Sequence, residues 1–214
     1  MLPIADLADQ LHQQQVTSLE LVEHCLSRIE DEQGEGPRTI LFCDPEKVRF
    51  TARKIDQLRK LGKFVAPLAG IPISVKDLFD VTGEITTAGS IFLKKSPPAK
   101  VDAPSIKRLR DAGLILIGRT NMTEFAYSGL GLNAHYGTPR NPFDRKIGRI
   151  PGGSSSGAAV SVTDGMAAAA IGTDTGGSVR IPSALCGLVG FKPTARRIPT
   201  DGVYPLCPSL DSIG

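Results

Sequence analysis

The sequence predicts an α/β fold in which helices cover a β-sheet. From Ala69 onward, short apolar segments alternate with helical segments and with glycine-rich turns. This alternation is typical of a sheet with helical layers on its faces. The chain has 214 residues, of which 41% are hydrophobic and 22% are charged, and this composition argues against general disorder.

The sequence pattern of the N-terminal part of the chain predicts helices. Apolar residues recur at helical spacing between residues 4 and 11, and Thr17 with Glu20 has the spacing of a capping box before a second apolar face. TILFC (39–43) is a short strand candidate. The segment PEKVRFTARKIDQLRKLG (45–62) has the proline start and the glycine stop of an exposed helix.

The rest of the chain carries the strands of the predicted sheet. In chain order its segments are the strand GIPISVKD (70–77), the helix PSIKRLRDAG (104–113), the buried strand LILIGRT (114–120), the helix start GGSSSGAAVSV (152–162), the small-residue strand AAAAIGTDT (167–175) and the short strand GLVGFKPT (187–194). No internal repeat or low-complexity linker separates these segments. We therefore treat residues 1–66, a helical region packed on the core, and residues 67–214 as one domain.

Composition excludes several classes of function. The net charge of +3 is small and the basic residues are scattered, which argues against direct binding of nucleic acid. No apolar run reaches the roughly 18 residues of a membrane span, and the N-terminus lacks the pattern of a signal peptide. The four cysteines lie far apart, which predicts reduced thiols in the cytoplasm and neither disulfides nor a metal site. Nothing in the sequence calls for a nucleotide or organic cofactor.

A serine follows two glycines in GTDTGGSVRIPS (172–183). Glycines let successive N–H groups point at one anion, and a serine beside such groups suits acyl transfer. Taken alone, the segment is more typical of a plain turn. No histidine lies in the glycine-rich segments, so the usual Ser-His-Asp arrangement has little support.

Two further segments carry candidate chemistry. PGGSSSG (151–157) reads as a linker, a phosphate-binding turn or a helix N-terminus, although it lacks the G-K-[ST] ending of a Walker A loop. Lys76 ends an apolar strand. If it is buried without a counter-ion it is a candidate neutral base, and otherwise it is an exposed strand-end lysine.

Together, the segments around Lys76, Ser154 and Ser178 resemble the motifs of the amidase signature family. Four further segments match the family: GRTNMTEFAYS, YGTPRNPFD, CGLVGFKPT and PLCPSLDSIG. The resemblance is clearest from about residue 67 to the end of the chain. It implies a mixed β-sheet covered by helices, with 67–214 as an incomplete catalytic core.

The resemblance also implies a Ser-Ser-Lys triad. Ser178 is then the nucleophile, Ser154 the bridging serine that the family holds in a cis peptide, and Lys76 the base. Ser154 lies 24 residues before Ser178, which matches the family's register and selects it over Ser155 and Ser156.

Other site residues follow from the same resemblance. The implied oxyanion hole consists of four successive backbone N–H groups, those of Thr175, Gly176, Gly177 and Ser178. Supporting roles fall to Ser155, Asp174 and Arg180, the last two as residues that hold the shape of the loop. Ser128 and Tyr127 are implied substrate contacts, with Phe125 and Tyr127 as plain core residues in the alternative interpretation.

The implied activity is hydrolysis of a linear carboxylic amide, through an acyl-enzyme, to an acid and ammonia or an amine. One alternative is the glutaminase subunit of glutamyl-tRNA(Gln) amidotransferase, and another is a truncated, inactive interaction module. Family members are considerably longer, so we expect a fragment or a truncated product. Its expected partners are a small-molecule amide and either a second copy or a chain that completes the C-terminal part.

Overall fold

The computed structural model of the protein describes residues 1–63 and 65–214. Its helices are α1 (Ile4–His12), α2 (Ser18–Ile29), α3 (Gly36–Thr39), α4 (Pro45–Lys60), α5 (Pro104–Asp111), α6 (Ser156–Thr163) and α7 (Arg180–Leu185). Its strands are β1 (Ile40–Phe42), β2 (Pro72–Lys76), β3 (Ile115–Thr120), β4 (Ala169–Ile171), β5 (Thr173–Asp174) and β6 (Ser212–Ile213). Short 3-10 turns cover Phe92–Lys95 and Glu124–Ala126.

The main sheet is mixed, with the strand order β1-β3-β2-β4. β2 runs parallel to both of its neighbours, β3 and β4, whereas β1 pairs antiparallel with β3. Every residue of β2 is buried. Since the carboxyl ends of parallel strands meet at one edge of a sheet, the last residue of β2 lies where ligands usually bind in such folds. The predicted α/β class with a mixed sheet is confirmed.

The N-terminal helices pack on the sheet. The Thr17–Glu20 capping box forms as predicted at the start of α2. Leu7 and Leu11 of α1 share a buried apolar cluster with Ile71 and with Ile73 of β2. A second cluster joins α2 and α4 to β3. These contacts anchor the N-terminal helices on β2 and β3 and leave the carboxyl edge of the sheet to the loops.

Two predicted strands differ from the structure. Residues 167–175 form two strands in different sheets, β4 and β5, on either side of Gly172, where a Cβ atom would lie 2.8 Å from Ser155 Oγ. The predicted strand GLVGFKPT is irregular. Val189 is 97% exposed there and Phe191 is 71% exposed, and no strand of the described residues lies beside them to accept their hydrogen bonds.

None of the helices in the described part of the chain is both long enough and apolar enough to span a bilayer.

Candidate active site

Lys76 is fully buried at the carboxyl end of β2. Its Nζ donates to Ser154 Oγ at 2.7 Å and to Thr173 Oγ1 at 2.7 Å. No carboxylate of a described residue lies within ion-pair distance of this amine. Burial lowers the pKa of Lys76 to about 7, although the negative charges of Asp174 and Asp211 act to raise it. A neutral amine is therefore accessible close to physiological pH.

Ser154 lies in the turn that leads into α6, after a cis peptide bond between Gly153 and Ser154. Its side chain is fully buried. The Thr123 N–H donates to the Ser154 carbonyl at 3.0 Å, and the Gly153 N–H donates to the Gly129 carbonyl at 2.8 Å. Backbone contacts from the segment after β3 thus hold the serine against Lys76.

Glycines make this close approach sterically feasible. A Cβ atom on Gly153 would lie 2.6 Å from the Cα of Gly131, and one on Gly131 would lie 2.3 Å from the carbonyl oxygen of Gly152. Gly131 and Gly152 also have positive φ angles, of 86° and 79°. The two loops therefore meet backbone against backbone, with no room for a side chain between them.

Ser178 lies in the turn before α7 and is 8% exposed. Its carbonyl accepts a hydrogen bond from the Ser155 N–H at 3.2 Å, which joins the turn to the Ser154 loop. The Ser178 hydroxyl forms no hydrogen bond with another residue of the described ranges, so it is available to a ligand. The structure thus brings the loops of Ser154 and Ser178 together beside Lys76.

Asp174 and Arg180 hold the turn between them. Asp174 Oδ1 accepts the Gly177 N–H at 2.9 Å, and Oδ2 accepts the Val179 N–H at 3.1 Å. Arg180 donates to both oxygens, from Nη2 at 2.8 Å and from Nε at 3.0 Å. Burial alone would raise the pKa of Asp174, but the hydrogen bonds from Arg180 and Val179 outweigh it and lower that pKa. The predicted contacts of Asp174 with Arg180 and with the loop backbone are therefore present.

The hydrogen bond to Asp174 changes the set of N–H groups that an oxyanion can use. The N–H of Gly177 points at a carboxylate, and this residue has a φ of 132°, which favours glycine. Within the described ranges, the N–H groups of Thr175, Gly176 and Ser178 make no hydrogen bond. Three of the four predicted donors are thus unoccupied.

The remaining predicted residues lie around this centre. Ser155 is buried, and its Oγ donates to the Thr173 carbonyl at 3.4 Å. The Ser128 Oγ accepts the Leu130 N–H at 3.1 Å, and Tyr127 is 83% exposed. Tyr127 and Ser128 line an open cavity of about 800 Å3, and so does Phe125. The interpretation of Tyr127 as a core residue is therefore wrong, because its ring faces the solvent.

Sequence reasoning missed two residues of this site. Thr173 accepts a hydrogen bond from the Lys76 amine, and Asp211 accepts one from Thr175 Oγ1 at 2.5 Å. Thr173 lies in the segment GTDTGGSVRIPS, and its hydroxyl, five residues before Ser178, could have been considered as a hydrogen-bonding partner from the sequence alone. Asp211 lies 33 residues after Ser178 in the sequence, and only the β5–β6 pairing shows that it reaches the turn.

No cluster of three or more histidine, cysteine or acidic side chains in the described part of the chain has the geometry to hold a metal ion.

Comparison with known proteins identifies the family of this chain. The family model described as Amidase matches residues 20–214, and the chain therefore belongs to the amidase family. The resemblance inferred from the sequence motifs is confirmed.

Curated relatives include different amide-related enzymes. The chain is 46% identical over 79% of its length to the AtzE subunit of 1-carboxybiuret hydrolase from Pseudomonas sp. (strain ADP), and covers 36% of that protein. It is 40% identical over 99% of its length to the A subunit of glutamyl-tRNA(Gln) amidotransferase from Prochlorococcus marinus, and covers 43% of it. The chain thus spans less than half the length of these relatives.

A solved structure also agrees with the fold. The native peptide amidase from Stenotrophomonas maltophilia matches with a TM-score of 0.88 and 37% sequence identity, over 99% of this chain and 44% of that one.

Proposed function

We propose that this chain carries the catalytic residues of an amidase that hydrolyses a linear carboxylic amide to an acid and ammonia or an amine. The observation that carries the proposal is the buried Lys76 amine, which donates to Ser154 Oγ at 2.7 Å and has a pKa lowered to about 7 by burial. A lysine of this kind is a general base at neutral pH, and a serine hydroxyl between base and nucleophile is a proton carrier.

In the first half of the reaction, Ser178 Oγ attacks the carbonyl carbon of the amide. Its proton passes to Ser154 Oγ, whose own proton passes to the neutral Lys76 Nζ. The negative oxygen of the tetrahedral intermediate is stabilised by the unoccupied N–H groups of Thr175, Gly176 and Ser178. Loss of one such donor typically reduces the rate on the order of 10²–10³-fold.

In the second half, the C–N bond breaks as a proton returns from Lys76 through Ser154 to the leaving nitrogen, and the acyl group stays on Ser178 Oγ. A water molecule then attacks the acyl carbon and gives its proton to the same relay. Breakdown of this second intermediate returns a proton to Ser178 and releases the acid. Protons and charges balance over the cycle.

We further propose that residues 1–66 and 67–214 act as one unit and that more polypeptide completes the substrate pocket. An open groove of about 340 Å3 lies beside β4, which pairs with β2 alone among the strands of the described residues, and Val189 and Phe191 line this groove. Apolar side chains exposed next to an unpaired strand edge are typical of a surface that another segment or protein chain covers. The occupant is a C-terminal continuation, a second chain or a second copy.

Labelling by a fluorophosphonate probe tests the nucleophile. We expect the probe to label wild type, to fail with Ser178→Ala, and to label Ser156→Ala as it labels wild type. Ser156 is a matched control because it is buried nearby and its hydroxyl has no hydrogen-bond partner among the described residues. Labelling that survives in Ser178→Ala contradicts the assignment, and a folded chain that takes no label supports an inactive interaction module instead.

A glutaminase subunit is the second candidate, favoured by the 40% identity to the A subunit of glutamyl-tRNA(Gln) amidotransferase over nearly the whole chain. Release of ammonia from glutamine in the presence of a partner subunit supports this function. Hydrolysis of simple aliphatic or aryl amides without glutaminase activity supports the free-standing amidase.

A further inference from the structure

Asp211 lies directly across from the turn that carries Ser178. Strands β5 and β6 pair Asp174 with Ser212 in antiparallel register, so one further step brings Asp211 opposite Thr175. The Thr175 hydroxyl donates to Asp211 Oδ1 at 2.5 Å. This is the end of the turn opposite to the one that Asp174 holds. The carboxylates of Asp174 and Asp211 therefore accept hydrogen bonds from opposite ends of the turn.

The same carboxylate also orders a second loop. Asp211 Oδ2 accepts the N–H groups of Leu206 and Cys207, each at 3.0 Å. Leu206 lines the open cavity that Tyr127 and Ser128 also line. One side chain thus connects a wall of this cavity to the residue that supplies the first unoccupied N–H of the turn.

Asp211 differs from the neighbouring carboxylates in its ion-pair partners. The charged groups on the elements around Lys76 are Asp77 with Arg119, Asp174 with Arg180, and Asp211. The first two carboxylates have an arginine partner, whereas Asp211 forms no ion pair within the described ranges. Its negative charge favours the protonated form of Lys76. Asp211 consequently acts on the base by charge and on the turn by hydrogen bonding.

We propose that Asp211 is a positioning residue of the active site, which holds Thr175 and the cavity wall around Leu206 in a fixed relation to Ser178. The unoccupied N–H groups can then bind an oxyanion without rearrangement. Preorganised donors stabilise a transition state strongly because no energy is spent on reorganising them during the reaction. The inference rests on the proposed function, since it assigns Asp211 a task in that reaction.

Two variants separate the contributions of Asp211 to the reaction. Asp211→Asn keeps the shape and one acceptor oxygen but loses the charge, and Thr175→Val loses only the hydroxyl that binds Asp211. Probe labelling of the 214-residue chain, followed as a rate against pH, is the readout. We expect each variant to slow labelling about ten-fold, less than the loss of a direct oxyanion donor.

The pH profile distinguishes positioning from general damage. Labelling needs the neutral amine of Lys76, so its rate rises with pH through the pKa of Lys76, about 7. Asp211→Asn removes a negative charge that raises this pKa, so its midpoint moves to lower pH. Thr175→Val leaves the charge in place and the midpoint unchanged. Asp201→Asn, an exposed position on the same loop, is the control and changes neither quantity.

Hydrogen–deuterium exchange gives a readout that does not depend on reactivity. We expect faster exchange of the amides of residues 175–178 in Asp211→Asn and in Thr175→Val than in Asp201→Asn. Unchanged exchange and unchanged labelling in both variants overturn the positioning role while leaving Ser178 as the nucleophile. Wild-type labelling that persists in Ser178→Ala overturns the proposed function, and exchange then decides separately whether Asp211 orders the turn.

Discussion

Lys76 and Asp77 are neighbours in the chain and both are buried, yet their surroundings differ in kind. Asp77 meets the guanidinium of Arg119 at 2.7 Å. Lys76 donates instead to neutral groups, the hydroxyls of Ser154 and Thr173 and, at 3.5 Å, the Thr173 carbonyl. A buried ion with a counter-ion is a structural element, whereas a buried amine among neutral hydroxyls loses its preference for the proton. One strand end therefore carries a structural ion pair and a candidate base side by side.

The surroundings of Asp77 extend this contrast. Its carboxylate also accepts the hydroxyl of Thr87 and the Gly89 N–H, while Arg119 donates to the Phe79 carbonyl at 2.8 Å. The ion pair thus fastens the chain that follows β2 to β3. It keeps the end of β2, and with it Lys76, in place.

The largest effect is expected when the buried amine is removed. Lys76→Met fills a similar volume without a proton-accepting group, so we expect the rate of probe labelling to fall about 10²–10⁴-fold, the usual contribution of a general base. The fold should persist, because no counter-charge is left unpaired. Lys60→Met on the exposed end of α4 is the control. Near-normal labelling of Lys76→Met would contradict the role of this lysine.

The opposite result is expected for the neighbouring carboxylate. Asp77→Ala leaves Arg119 buried without its partner, so we expect the free energy of unfolding to fall by about 3–5 kcal/mol. Urea unfolding measures it. If the loss comes from the orphaned charge, the double variant Asp77→Ala/Arg119→Met is more stable than Asp77→Ala alone. A double variant that is less stable than either single one argues against this account.

The pH dependence of stability sharpens the comparison further. The pKa of Lys76 is about 7 in the folded chain and near its ordinary value of 10.5 in the unfolded chain. Between these values the unfolded state binds the extra proton, so the folded state becomes relatively more stable as pH rises. Relative to Lys76→Met, wild type should gain about 2–3 kcal/mol between about pH 7 and about pH 9.5. Parallel urea titrations of both proteins check this, and a constant difference contradicts the lowered pKa.

The smallest effect concerns an ion pair without burial. Lys107 and Asp111 on α5 lie 2.6 Å apart, but both side chains are exposed. Exposed pairs of this spacing contribute little, so Asp111→Asn should change the free energy of unfolding by less than about 0.5 kcal/mol. Thermal or urea unfolding gives the value. A loss as large as that of Asp77→Ala would mean that burial is not what separates the two ion pairs.

Much of the fold is predictable because local patterns specify it. The capping box at Thr17, the proline start of α4 and the apolar run of β2 each depend on neighbouring residues and appear where they were predicted. The strand expected at 187–194 does not form, since its pattern needs a neighbour that the sequence pattern alone does not supply. Local periodicity predicts a strand, but long-range pairing decides whether it forms.

In the candidate site too, local sequence motifs predict some residues, whereas others depend on tertiary structure. The motifs around Lys76, Ser154 and Ser178 select three residues whose loops the structure brings together. Thr173 carries a hydroxyl within the motif segment, but the sequence does not show that it reaches Lys76. Asp211 has no local signal, because its contact with Thr175 depends on the pairing of β5 with β6. The choice of N–H donors also depends on tertiary structure, since it rests on which group Asp174 accepts.

The contact between Gly131, Gly152 and Gly153 has a consequence for sequence variation. At each of these positions even a methyl group would collide with backbone atoms or with a neighbouring loop. Backbone cannot move aside as the end of a flexible side chain can, so a substitution here shifts the serine loop as a whole. Single substitutions can therefore change the residues that line the cavity, whereas Gly131, Gly152 and Gly153 tolerate almost no substitution.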